Sequence, residues 1–567
     1  MSRVHFISGG ICALLLIAFG PPRQLQAQCV CPSDLNSDIK ADGSDVQCFA
    51  QCLTSGPGGA CPGCNCADAN LDSLVDLNDI PAFVNTLLSG SLFCAMPTQY
   101  EPGTLETPRA SPCSESQCAG LPDRDSIHSV YLFSGEFHHA AVDLRIKGRG
   151  LDFIWARKYR SRHGPNTDMG NGWDYSYNIF IEQVGQNLLL HDGNSRQDLY
   201  LLRANGRWAR DEYFREIELN GDGTYTLTFA NNGKWHFRQL ALPTAPGRIS
   251  SIADRNGNTI SFSYLGPGGR LSPIQDSLGR LIQISYNAEN RIASVTDFIG
   301  RQIVYSYYLS GDADGGAGDL KSVRSPVVNL PPPVDHNNFP AGKTTFYTYS
   351  KGFVDDALNH NLLTIKDPKG QTYVVNSYHP TTQPGDLNFD RVIEQQWGDP
   401  GDDITVSYTP QVPSAGNNFA LIAAAVTNRR GFLKEFHYDA FNRLVIAREY
   451  TTGLRTIDPP YFETRWSYNT DALPVLIIHP NLNSTINTYE LELNPLAARR
   501  SRGNLRQVTR DPGPLGGDPA SITESYTYES GFGGCGCGSS FVKSHTDGRG
   551  NTTTHSYDAF GNRTQTV

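Results

Sequence analysis

The chain has 567 residues, too many for one hydrophobic core, so two or more domains are expected. Its formal charge of −10 and pI near 5.8 exclude the basic footprint of a nucleic-acid binder. Fifty-five glycines and twenty-six tyrosines against three methionines indicate a β-rich chain with many turns.

Residues 1–27 read as an export signal. Arg3 and His5 precede the apolar run Ile11 to Phe19, then Pro21-Pro22, with cleavage expected after Ala27. That run is too short to span a bilayer comfortably, and no other stretch reaches transmembrane length. A secreted or cell-surface location is therefore expected. Of thirteen cysteines, Cys12 lies in the signal, ten fall between Cys29 and Cys118, and Cys535 and Cys537 form a late pair. An even, clustered set in an exported chain favours disulfides, whose pairing the spacing leaves open.

Residues 30–92 contain a tandem repeat with an offset of 34 residues. Asp34, Asn36, Asp38, Lys40, Asp42 and Asp45 align with Asp68, Asn70, Asp72, Leu74, Asp76 and Asp79. Downstream, Val46, Phe49, Leu53 and Gly56 meet Ile80, Phe83, Leu87 and Gly90. Each copy reads as a twelve-residue acidic loop followed by a short amphipathic helix that stops at Gly. Calcium takes six to eight oxygens, and a wrapped loop supplies side chains at positions 1, 3, 5, 9 and 12 and a backbone carbonyl at position 7. Lys40 and Leu74 occupy position 7 and would ligate through that carbonyl. Two Ca2+ sites are expected. Aspartate at position 12 and the loop–helix pairing resemble a dockerin, the EF-hand-like module of cellulosome proteins. The resemblance implies a cohesin-like or other protein partner. Position 6 departs from the family's Gly, being Ile39 and Ser73, which bears on affinity.

Residues 95–127, rich in Pro, Ser and Thr, read as a linker. From 128 to 245, alternation in "AVDLRI" and "DFIWARKY" predicts strands separated by "KGRG". "SGEF" (Ser134 to Phe137), "RKYRSR" (Arg157 to Arg162) and "GNGWDYSYN" (Gly170 to Asn178) occur in order, and this stretch resembles the domain that opens the repeat region of Rhs/YD-repeat proteins. His138 and His139 have no third catalytic group in their local context and read as ordinary strand residues.

From 246 to 567 a repeat near 21 residues long appears. Tyr264, Tyr286 and Tyr307 end the similar strands "ISFSY", "IQISY" and "IVYSY". Asp254, Asp276 and Asp297 keep step, each opening a D-x-x-G-[RN] turn through Gly257, Gly279 and Gly300. Later copies are "DPKGQ" at Asp367, "YDAFNRL" at Tyr438, "DGRGN" at Asp547 and "YDAFGNR" at Tyr557. An atypical Gly/Pro-rich insertion lies near 310–343. Such an array buries its core by stacking. The pattern resembles the YD repeats of Rhs proteins, insecticidal toxin complexes and teneurins, which implies a large β-shell, in some members around an enclosed toxic cargo. The expected fold is thus mainly β, a YD-repeat β-hairpin shell or solenoid with a small α-helical dockerin-like domain in front.

The final "YDAFGNRTQTV" reads as a unit cut before its returning strand, implying a fragment or a partner-closed edge. No H-E-x-x-H or G-x-S-x-G occurs. "AGKT" (Ala341 to Thr344) lacks the upstream Gly of a phosphate loop, with Asn337 in its place. The expected function is a structural and binding protein without a catalytic centre. Its tyrosine rows and Asn/Asp turns make carbohydrate a candidate ligand. The alternatives are a truncated toxin-delivery shell and a dockerin-anchored polysaccharide-active enzyme.

Overall fold

The computed structural model describes residues 49–50, 52–53, 129–266, 268–329, 338–398, 403–451, 455–514, 520–532 and 538–567. It divides into a smaller unit, residues 1–98 with 440–442, and a larger one holding the rest. In the smaller unit Phe49, Ala50, Cys52 and Leu53 are helical. Phe49 and Cys52 are buried, and Cys52 is disulfide-bonded.

The larger unit contains two sheets. The first has four antiparallel strands in chain order: β1 (Val130–Tyr131), β2 (Glu136–Ile146), β3 (Phe153–Arg160) and β4 (Trp173–Tyr175). The second takes the thirty strands from Ile179–Val184 to Arg563–Thr566, each paired with the next in one continuous antiparallel ribbon that curls into a barrel-like wall (the barrel). The boundary between the sheets therefore falls between Tyr175 and Ile179, inside the stretch read as one opening domain over 128–245. The insertion near 310–343 does not interrupt the succession, because Leu320–Arg324 is a paired strand within it.

The tyrosines and aspartates of the repeat have separate structural tasks. At the turns, Asp276 Oδ1 accepts from the backbone N–H of Leu278 and Arg280, while Oδ2 accepts from Arg280 Nε at 2.7 Å. Gly279 N donates back to the Asp276 carbonyl at 2.9 Å. Gly279 sits at φ +81°, where a Cβ is strained, which explains the fourth turn position. Asp297, Asp254, Asp547 and Asp558 repeat the arrangement with Arg301, Asn258, Asn551 and Asn562. The R/N at the fifth position of the motif is thus the side-chain partner of the aspartate.

The tyrosines act at the other end of each hairpin. The hydroxyls of Tyr264, Tyr286 and Tyr307 donate to the carbonyls of Ile249, Leu271 and Ile292 at 2.8, 3.0 and 2.7 Å. Each acceptor stands at the start of the strand just before the tyrosine's own. Tyr378, Tyr408, Tyr468 and Tyr557 do the same to Leu362, Val392, Leu444 and Val542. At Tyr286, Tyr307, Tyr349, Tyr378, Tyr468 and Tyr557 the ladder to the following strand also slips by a residue. Such bulges bend the strand and sharpen its twist. A bulge at the same end of hairpin after hairpin curves the sheet steadily, and the buried phenol fixes the carbonyl that the bulge exposes.

The curvature brings the ribbon round onto itself. A later stretch of the ribbon meets an earlier one through side chains rather than through a strand ladder. Asn562 Nδ2 donates to Asn256 Oδ1 at 2.8 Å, and Arg255 Nη2 donates to Asn562 Oδ1 at 3.2 Å. Arg499 Nη2 donates to Asp211 Oδ1 at 2.9 Å. Loop 210–215 follows the fourth strand of the succession and loop 490–504 the twenty-fifth; turn 254–258 follows the eighth and turn 558–562 the twenty-ninth. Both contacts therefore join hairpin ends twenty-one strands apart. An odd number places opposite edges of the ribbon together, as a spiral requires. The final "RTQT" forms the returning strand absent from the sequence reading: Arg563–Thr566 pairs with Thr552–Tyr557.

Removing the Asp276 carboxylate by Asp276→Ala should cost about 1–3 kcal/mol, since two backbone donors and Arg280 lose their acceptor in a buried turn. Urea unfolding of the full chain measures it, and an unchanged midpoint would contradict this account of the turn.

Candidate functional site: the seam between the two sheets

All eight residues of β3 are buried, although five of them are polar, charged or tryptophan and tyrosine. Some of the partners of β3 and β4 lie in the barrel. Trp155 Nε1 donates to Tyr305 Oη at 3.0 Å, and Trp173 Nε1 to Tyr349 Oη at 2.8 Å. Arg157 Nη2 donates to Tyr347 Oη at 2.8 Å, with its guanidinium 4.7 Å over the Trp173 ring. The barrel wall thus offers a row of phenols to the indoles and the guanidinium. Buried Trp and Tyr tolerate such a place only when their N–H and O–H find partners.

Three charged clusters lie in this seam. In the first, Asp143 Oδ2 accepts from Arg157 Nε and from Tyr305 Oη, both at 2.8 Å. Burial opposes the Arg157 charge, yet Asp143 beside it raises the guanidinium above its ordinary value. His139 packs against Trp173 and Tyr347, with ring centroids 6.0 and 6.3 Å away. Burial and the Arg157 charge push its imidazolium down to about 3, so it stays neutral. Its neighbour His138 stacks on Tyr131 at 4.2 Å.

In the second cluster Glu136, fully buried, accepts from Arg160 Nε and Nη2, and Arg160 Nη1 donates to the Ser195 carbonyl at 2.9 Å. Burial works against the carboxylate, but Arg160 holds Glu136 below its usual value. Arg391 Nη1 donates to the Phe133 carbonyl at 2.7 Å, and its stem crosses Gly135. Gly135 has φ +70°, and a Cβ there would come within 2.5 Å of Arg391 Cγ. "SGEF" is thus a turn pressed against the barrel, with Val392 N donating to the Gly135 carbonyl at 2.8 Å.

In the third, Asp319, fully buried, accepts from His360 Nδ1 at 2.7 Å and from Asn171 Nδ2 at 2.9 Å. The adjacent Asn361 donates from Nδ2 to Asp390 Oδ1 at 2.6 Å. Tyr159 Oη donates to the His360 carbonyl at 2.7 Å and accepts from Leu362 N at 2.9 Å. Tyr159 and Asn171 fall in the quoted motifs "RKYRSR" and "GNGWDYSYN", but Asp319, His360, Asn361 and Asp390 were not singled out in the sequence. Asp319, His360 and Asp390 come from three loops, and no local spacing joins them. The one signal was a histidine within "NHN", a context suited to the positive φ of +66° that His360 adopts.

The carboxylates and guanidiniums of the seam are largely engaged with one another, and none activates a serine or cysteine. Among the described residues no group of three His, Cys, Asp or Glu could hold a metal, and no helix is long and apolar enough to cross a membrane. "AGKT" runs into the strand Thr344–Tyr349, which begins at its threonine, rather than into a helix, so it does not form a phosphate loop. The predicted calcium ligands Asp34, Asn36, Asp38, Lys40, Asp42, Asp45, Asp68, Asn70, Asp72, Leu74, Asp76 and Asp79 lie outside the described residues, as do Cys535 and Cys537.

Residues 128–200 match the family described as Domain of unknown function (DUF6531), and residues 542–567 match RHS Repeat. The first match covers all four strands of the docked sheet and the opening strands of the barrel; the second covers the last three strands. The chain therefore carries an RHS repeat in a mainly β, antiparallel fold. No curated protein matches the chain. Among solved structures, the TcdB2-TccC3-TEV crystal structure aligns at 11% identity over 79% of this chain and 25% of the other, with a TM-score of 0.31. The Photorhabdus luminescens Tc holotoxin pore with the mutation TccC3-D651A aligns at 10% identity over 76% and 26%, with a TM-score of 0.30. A porin-like protein from Bacteroides uniformis aligns at 13% identity over 62% and 92%, with a TM-score of 0.13. The chain spans about a quarter of the length of the two Tc chains.

Proposed function

We propose that the chain is a secreted or cell-surface YD/RHS-repeat scaffold and binding protein with no catalytic centre of its own, attached to a protein partner through a calcium-loaded, dockerin-like N-terminal module. One observation carries the scaffold reading: the tyrosine and the aspartate of each repeat serve the ribbon itself, one fixing a bulge carbonyl and the other a turn. The family matches at both ends of the described strand succession support it. The seam residues that could do acid–base chemistry are committed to holding the four-stranded sheet on the barrel.

The calcium reading rests on donor chemistry. Asp34, Asp38, Asp42 and Asp45, and their counterparts Asp68, Asp72, Asp76 and Asp79, crowd like charges that repel unless a cation lies among them. Binding would couple to folding of that module. Titration calorimetry of the full chain with calcium should show two sites, and Asp34→Ala with Asp68→Ala should abolish the heat. No heat at millimolar calcium would remove the module from the account. An assay of the same preparation on a glycan panel should show no hydrolysis, and turnover would overturn the scaffold reading.

A further inference from the structure

We propose that loop 350–361 is a proton-tightened clasp, gripping the four-stranded sheet on the barrel more firmly near pH 6.5 than at alkaline pH. The geometry is that of a clasp. Tyr159 of the docked sheet and Asn171, in the turn just before β4, reach this loop and the buried Asp319 behind it. The loop answers with two adjacent side chains: His360 to Asp319 and Asn361 to Asp390. Arg162, which follows β3, faces Asp390 Oδ2 from Nε at 3.8 Å. Two of the three barrel loops here, 308–319 and 379–391, thus bring a buried carboxylate to the third.

The protons have defined places. His360 Nδ1 donates to Asp319 at 2.7 Å, so that nitrogen is not an acceptor for Asn171 Nδ2 at 3.2 Å, and Asn171 bonds Asp319 instead. His360 Nε2 lies 3.9 Å from Asp356, so an imidazolium meets carboxylates on both sides. The hydrogen bond to Asp319 raises the His360 value; burial and Arg291 oppose it, and Asp356 adds to it. Burial pushes Asp390 up to about 7, against Arg162 and Asn361, with Glu136 and Asp355 adding to the rise.

Both groups bind a proton more tightly docked than unfolded, so both effects have the same sign. The His360 contribution is complete below the unfolded value of 6.5 and disappears as pH rises through the higher folded value. Asp390 ionises inside the seam as pH rises toward 7, which places a second carboxylate near Glu136. Two histidines of the seam, His139 and His163 beside Glu136 and Arg162, are held neutral and run the other way near pH 6.5, where their unfolded imidazoles are still partly protonated, and stop contributing well above it.

The test is amide hydrogen exchange in Phe153–Arg160 of the full chain between pH 6.5 and 8.5, normalised at each pH to the unfolded-chain rate. Protection should fall roughly tenfold across the range, the scale of one unit of differential proton affinity. His360→Gln and Asp390→Asn should each flatten the profile, and the double variant should be level, with Asp390→Asn better protected than wild type at pH 8.5. A level wild-type profile, or variants with the wild-type slope, would overturn the clasp. If His360→Gln fails to fold, Asp390→Asn alone decides, because its amide keeps the oxygen that Asn361 bonds.

Discussion

Trp173→Ala should destabilise the larger unit by about 3–5 kcal/mol, the cost of truncating a fully buried tryptophan and leaving a cavity. The effect should reach beyond β4. Trp173 supports the Arg157 guanidinium, lies 5.3 Å from both Tyr159 and Tyr347, and donates to Tyr349. Tyr349 in turn bonds the Leu320 carbonyl, one of the strand-start contacts of the ribbon. Loss of the indole therefore removes a donor and a packing surface at the point where the docked sheet meets the repeat. Guanidinium unfolding of the full chain checks this. Trp173→Phe should recover most of the packing and cost about 0.5–1.5 kcal/mol for the lost Trp173–Tyr349 hydrogen bond, since the Tyr349 hydroxyl still donates to the Leu320 carbonyl. Equal stability of wild type and Trp173→Ala would show that the sheet does not brace the barrel.

Glu136→Ala should cost a similar about 3–5 kcal/mol, because it leaves the buried Arg160 guanidinium without its carboxylate. Glu136→Gln tests charge against shape. Arg160 holds the Glu136 carboxyl below its ordinary 4.5, so the pair's stabilisation is present above that pH and is lost as pH falls through the lower folded value. The wild-type advantage over Glu136→Gln should therefore be seen at pH 7 and shrink below pH 4.5. An advantage that persists unchanged into acid would mean that Arg160 is held by other contacts.

The repeat was legible because its signals are local. Asp276 and Gly279 lie within one turn, so their chemistry can be read from four residues. The strand-ending tyrosines were legible as a period but not as a mechanism. Tyr286 bonds a carbonyl fifteen residues earlier, and nothing in "IQISY" shows that the phenol reaches back across the ladder. Arginine or asparagine after the turn glycine was visible as part of the motif, and its role as the aspartate's partner emerged only from the side-chain geometry.

The seam was illegible for a different reason. Alternation predicts one exposed face for β3, whereas all of Phe153–Arg160 is buried because a second sheet covers it. "RKYR" looks like a solvated strand end, yet Arg157, Lys158 and Arg160 all lie inside among phenols and carboxylates. Their partners Asp143 and Glu136 are near in sequence, but Tyr305, Tyr347 and Asp319 are 140 or more residues away from the sheet residues they meet. Spacing carries no information at that separation.

The spiral makes the most exposed commitment of all. A photo-crosslinking amino acid at position 256 of the full chain, analysed by peptide mapping, tests it directly. Capture of peptides from 541–562 is the expected result, since Asn562 touches Asn256 and Phe541 lies 5.4 Å from the Arg255 guanidinium. Capture confined to neighbouring hairpins within 229–280 would contradict it, and would mean that the bulged tyrosine hairpins do not bring the ribbon back onto its own edge.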